Sequence, residues 1–257
     1  MQVFKSYLTD WKFYFKLIFS LFFIATLLYN WLNPLINGIT VSDAEKEIAP
    51  NWEWFIQDKG DYTLNFFSYF TIQTNIFVAL WFLLSAIFHS QEGKKTSKWF
   101  GPYMALGVTT FITITGLIYN TMLLPTQINI TGFSFWFTSV VEHMIVPIVM
   151  IVYFLAFMNK EKGSVLETKK FLKEKLVIFY VYPIVWLVTM LIRGEFRYNA
   201  GKAFAYQYFF INIHTKSYGL AGWAWLIIAL VLIGLIVLGF TTLYNWIIYK
   251  QQGKNKK

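Results

Sequence analysis

The chain is predicted to be an all-α integral membrane protein, a bundle of six transmembrane helices with both termini in the cytoplasm. Three observations carry that prediction. Of 257 residues, 57% are hydrophobic and only 14% charged, whereas soluble domains carry about a quarter charged residues. Several apolar stretches approach the roughly 20 residues that a helix needs to cross the hydrocarbon layer. The basic residues gather in alternate connections, which is how cytoplasmic loops are marked.

The helices are read at about 17–36, 66–88, 100–124, 136–158, 176–192 and 220–248, as a single domain spanning 1–257. The first, "LIFSLFFIATLLYNWLNPLI", follows Lys5, Lys12 and Lys16. It lacks a small-residue cleavage pattern, so it reads as a retained helix and not a signal peptide. The third ends at Pro125, a residue that cannot continue the hydrogen-bond ladder. The fifth is the shortest, and the sixth is long enough to tilt. Residues 37–65, which include "NWEWF", are expected to form a short amphipathic cap. A β-barrel is excluded by the length of the continuous apolar runs.

With the N-terminus inside, 16 of the 22 basic residues face the cytoplasm: three before or at the start of the first helix, three at 89–99, six at 159–175 and four in the tail. Residues 193–219 are the exception, being net positive yet outside. The formal charge of +9 is thus a consequence of topology and does not call for nucleic acid. Without cysteine there is no disulfide or thiol chemistry. The three histidines, His89, His143 and His214, lack metal-ligand spacing, so no metal and no cofactor is expected.

Polar residues inside the apolar runs need a reason. In "FFSYFTIQTNIFVAL", Ser68, Thr71 and Asn75 are spaced by three and four and share one stripe of a continuous helix. Thr109, Thr113, Gly116 and Asn120 make a second stripe, with Tyr119 beside its end. Such residues commonly pack membrane helices closely and bond across them. His143 in "WFTSVVEHMIVPIVM" is different, because an imidazole within the bilayer is costly unless it is partnered. By helical rise, Thr71 and His143 both fall roughly 8 to 11 Å below the outer ends of their helices. Glu142 points about 100° away from His143.

"NFFSYFTIQTN", "VEHMIVP" and "YPIVWLVTMLIRG" resemble the six-helix bacterial membrane proteins distantly related to the androgen-induced and androgen-dependent membrane hydrolases of animals. Those animal enzymes split fatty-acid esters of hydroxy fatty acids (FAHFA). The resemblance runs from the second helix through the loop after the fifth. It implies location in a bacterial cytoplasmic membrane, a threonine nucleophile at Thr71 and a histidine base at His143, before Pro147. The His-to-Pro spacing here is four, one shorter than the animal pattern, and Asn75 has no counterpart in it.

Threonine becomes nucleophilic only when a base takes its proton. On this reading Asn75 or Asn120, beside Tyr119, supports the oxyanion. Arg193, Arg197 or Lys202 receives a carboxylate or headgroup at the positive outer loop, and the partners are membrane lipids or fatty-acid esters. Two alternatives stand beside it: a small-molecule or lipid transporter built from two three-helix units, and a non-catalytic lipid-binding scaffold.

Overall fold

The computed structural model describes residues 7–126 and 132–254. Lys5, Lys256, Lys257 and part of the uncharged connection at 125–135 lie outside the described residues. Helix α1 (Trp11–Asn37) is followed by three short helices, α2 (Asp43–Ile48), α3 (Trp52–Phe55) and α4 (Lys59–Ser68). Then come α5 (Phe70–Ile87), α6 (Pro102–Leu123), α7 (Phe133–Phe157), the short α8 (Thr168–Glu174) and α9 (Ile178–Asn199). A two-stranded hairpin, β1 (Lys216–Ser217) and β2 (Leu220–Ala221), leads into α10 (Gly222–Lys254). Among the described residues, α1, α5, α6, α7, α9 and α10 are long and apolar enough to cross a membrane.

Within the protein, 61% of the apolar window of α6 is buried, against 11% of that of α10. Helix α6 is therefore enclosed by protein, while α10 turns Ile227, Val231 and Leu235 outward. Outward apolar side chains suit lipid, because a helix satisfies its own main-chain polar groups. The chain gathers into two compact units by its contacts: Met1–Leu27, Thr74–Phe179 and Val237–Lys257 in one, Leu28–Gln73 and Tyr180–Ile236 in the other.

In the first unit, α6 lies against its neighbours through small and hydroxylated residues, which allow close approach. Thr74 and Thr115 share a hydrogen bond of 2.7 Å, and Thr113 meets the hydroxyl of Tyr244 at 2.9 Å. Thr109 bonds the carbonyl of Ala105 one turn back. A Cβ on Gly116 would come within 3.1–3.2 Å of Pro147 and of the His143 carbonyl, so glycine is what lets α6 and α7 approach there.

In the second unit, the expected continuous helix over 66–88 is broken. Tyr69 is extended (φ −66°, ψ 133°) between α4 and α5, so Ser68 does not continue the stripe of Thr71 and Asn75. The break is held by side chains: the Trp186 indole donates to the Ser68 carbonyl at 3.0 Å, and Gln73 donates to the Phe67 carbonyl at 2.9 Å. The segment 37–65 does form a cap. Helix α2 begins with a capping box between Ser42 and Glu45, and Ile39, Val41, Phe55 and Ala203 form a small apolar core. Helix α9 runs on to Asn199, so Arg193 and Arg197 are helical, not loop, residues.

Candidate functional site

His143 lies in a π-helical turn, Val141–Ile145, and Tyr119 begins another, Tyr119–Leu123. Such turns are rare and recur at functional sites. The imidazole stacks on the Tyr119 ring, with centroids 3.5 Å apart and planes 12° from parallel. Tyr119 donates its hydroxyl to Ser139 Oγ at 3.0 Å. His143 Nδ1 sits 3.0 Å from the Ser139 carbonyl. A carbonyl only accepts, so Nδ1 carries the hydrogen, and in the neutral ring Nε2 holds the lone pair. Among the described residues Nε2 has no hydrogen-bond partner. Its lone pair is available to a proton donor.

Asn75 and Asn120, expected to support an oxyanion, bond main-chain carbonyls beside the imidazole. Pro147 brings no N–H to the ladder just past the π turn. The two carbonyls on that stretch are bonded by side chains: Asn75 donates to the Glu142 carbonyl at 3.1 Å, and Asn120 to the His143 carbonyl at 3.0 Å. Asn120 also donates to the Gly116 carbonyl at 2.7 Å. These amides fix the main chain that carries His143.

The first unit also holds a buried ionic cluster that the sequence reading missed. Lys16, counted there among the cytoplasmic lysines, is 0% exposed and paired with Glu92, which is 5% exposed. The Lys16 ammonium also donates to the Ser85 carbonyl at 2.7 Å and meets His89 Nδ1 at 3.0 Å. Tyr153 donates to both Glu92 oxygens, at 2.7 and 2.9 Å. His89 Nε2 contacts Asp10 at 3.0 Å. The signal was a lysine set in "WKFYFKLIFSLFF", apolar on both sides and too far from the helix start to reach water easily.

Nearby, Lys160 donates to the Met158 carbonyl at 3.1 Å and lies over the Phe154 ring. Burial pulls its amine down to about 8, with Glu92 resisting and Lys12 adding to the fall. The folded state therefore releases this proton before the unfolded chain does, and stability gains from Lys160 as pH rises from about 8 toward the ordinary lysine value near 10.4. Acylation of Lys160, followed by mass spectrometry, is expected to be half-maximal in rate near pH 8. A half-maximum near pH 10 would contradict this.

In the second unit, Thr71 pairs with Tyr208. The Thr71 N–H donates to the Tyr208 hydroxyl at 3.4 Å, and the Thr71 side chain bonds the same hydroxyl. The cations expected at the outer loop differ from one another. Arg197 pairs with Asp61 and donates to the Ala203 carbonyl at 2.5 Å. Arg193 has neutral acceptors, Asn65 Oδ1 at 3.1 Å and the Ala205 carbonyl at 3.3 Å. Lys202 is exposed on the wall of an open cleft. His214 bonds Glu195 at 2.7 Å and stacks on Tyr198. Among the described residues no three His, Asp or Glu side chains gather as metal ligands would.

Of the residues singled out from sequence, His143, Tyr119, Asn120 and Asn75 thus belong to one arrangement in the first unit. Thr71, Arg193, Arg197 and Lys202 belong to the second. A fixed, buried imidazole with an unbonded nitrogen is suited to taking and returning a proton. No protein family, curated protein or solved structure matches the chain.

Proposed function

We propose that the chain is a multi-pass hydrolase of lipid or fatty-acid esters in a bacterial cytoplasmic membrane, with Thr71 as nucleophile and His143 as base. The observation that carries this reading is the His143 tautomer: Nδ1–H directed at the Ser139 carbonyl, Nε2 unbonded. The 16 basic residues assigned to cytoplasmic segments support an orientation with both termini inside.

In the proposed reaction Thr71 Oγ attacks the ester carbonyl carbon, and His143 serves as the base for the proton that the hydroxyl gives up. The bond to the alcohol oxygen breaks, the imidazolium returns the proton to that oxygen, and an acyl-threonine remains. Water then loses a proton to Nε2 and attacks the acyl carbon. The acid departs, and the imidazolium restores the Thr71 hydroxyl. Tyr208 holds the Thr71 hydroxyl before reaction, while Asn75 and Asn120 hold the main chain beside the base. Arg197 is already neutralised by Asp61, which leaves Arg193 and Lys202 for a substrate carboxylate or headgroup.

The test is labelling of purified protein with a lipid-like fluorophosphonate, the adduct located by mass spectrometry. Wild type is expected to carry the adduct on Thr71. Thr71→Val should abolish it, and His143→Gln should slow it by about 10²-fold or more, the usual weight of a general base. Folded protein that never labels, with lipid uptake unchanged in Thr71→Val, would move the assignment to transport or lipid binding.

A further inference from the structure

The cap in the second unit lines an open cleft of about 770 Å³ between residues 51–61 and 200–203. That volume lies within the roughly 300–1,000 Å³ range of small-molecule sites. Its walls are unequal in what they leave unbonded. Of the two carboxylates, Asp61 is paired with Arg197, and Asp58 caps α4 by accepting from the Asp61 N–H at 2.8 Å. The two ammonium groups, Lys59 and Lys202, have no acidic partner within ion-pairing distance among the described residues. Lys202 adds to the lowering of the Asp61 carboxyl, but that carboxylate is already bonded twice by Arg197.

Beside these cations, Trp54 is 73% exposed, and its indole N–H has no partner among the described residues. Phe55 closes the floor from the apolar core. With Asp61 neutralised by Arg197, the wall sets two ammonium groups against the one remaining carboxylate, Asp58, and so carries net positive charge beside an open aromatic face. The two segments lie between the first and second spans and between the fifth and sixth, which alternation of six spans puts on one membrane face. Tryptophan and lysine at such a boundary are the side chains that meet lipid headgroups.

We infer that this cleft binds a phosphate-bearing anion, with Lys59 and Lys202 on the phosphate and Trp54 against the adjoining polyol. A glycerophospholipid headgroup and a free organic phosphate share this chemistry. The site uses neither Thr71 nor His143 but shares Lys202 with the esterase reading, and lipid retention, which needs no hydrolysis, tests it separately from that reading.

The experiment compares full-length protein in phosphatidylcholine nanodiscs with and without 20% phosphatidylglycerol, together with titration of glycerol 3-phosphate. Bound species are read by native mass spectrometry after release from the discs. Retention of phosphatidylglycerol over phosphatidylcholine is expected, with a loss of tenfold or more in Lys59→Ala/Lys202→Ala and a smaller loss in Trp54→Ala. Lys59→Arg/Lys202→Arg should retain binding, which separates lost charge from lost fold. Displacement by glycerol 3-phosphate would identify the free phosphate ester as a ligand, and its absence the lipid headgroup. Equal retention of both lipids in wild type with no glycerol 3-phosphate binding, or undiminished binding in the alanine double variant, would overturn the proposal.

Discussion

Glu92→Gln is expected to destabilise the protein by about 3–5 kcal/mol, the range for removing one partner of a buried ion pair. The variant leaves the Lys16 ammonium, 0% exposed, without a counter-charge, facing a neutral amide, a carbonyl and an imidazole. It also weakens the double acceptance from the Tyr153 hydroxyl. Two charges taken out of water are tolerated because each neutralises the other, and one alone is not. The double variant Lys16→Met/Glu92→Gln should therefore recover much of the loss, since well-packed neutral replacements of a buried pair are often nearly neutral in effect. The measurement is unfolding in mixed micelles with a double-variant cycle. If Glu92→Gln unfolds at the wild-type midpoint, the pair does not hold the first spanning helix.

The second large effect is expected at the cap. Arg197→Met should accelerate hydrogen exchange over residues 58–68 and 200–211 by about 10²–10³-fold, the equivalent of roughly 3–4 kcal/mol at 1.4 kcal/mol per tenfold. Asp61 and Arg197 are only 11% and 12% exposed, so the partner left behind is poorly hydrated. Burial alone pushes the Asp61 carboxyl up, but the bonds and charge of Arg197, with Lys202 and Arg193 behind it, outweigh that and hold it below the ordinary carboxylate range. A depressed carboxyl contributes stability above its unfolded value near 3.9, and the contribution is lost as pH falls through the folded value. The wild-type cap should thus stay protected down to about pH 4. Arg197→Met should already be loose at neutral pH, and Arg197→Lys should fall between them because it keeps charge without the bidentate fork. Unchanged exchange in Arg197→Met would remove this pair from the account of the cap.

The six apolar helices were legible because burial in lipid and burial in protein ask for the same side chains. The break at Tyr69 was not, because "SYFTIQ" reads as uninterrupted helix. What holds it open, the indole of Trp186, comes from more than a hundred residues away. His143 stood out as an imidazole in an oily run, but its stacking on Tyr119 joins two helices that no spacing rule connects. Asn75 and Asn120 were legible as buried amides, but the carbonyls they bond lie on another helix, beside Pro147. Lys16 was hidden by being counted. A sum of positive charge treats every lysine near a helix start as solvated, and this one is enclosed.

The π-helical turns carry a consequence for reading kindred sequences. One extra residue in a turn advances everything after it by about 100° around the axis. Beyond residue 145 the helix is out of phase with its own beginning, and on this later stretch Met150 and Tyr153 are buried. A helical wheel drawn through the whole of α7 therefore mixes two faces into one. A relative that lacks the extra residue would keep the same interior only with a gap of one in its alignment, and a deletion of one residue here would turn a protein-facing surface toward lipid without altering the composition at all.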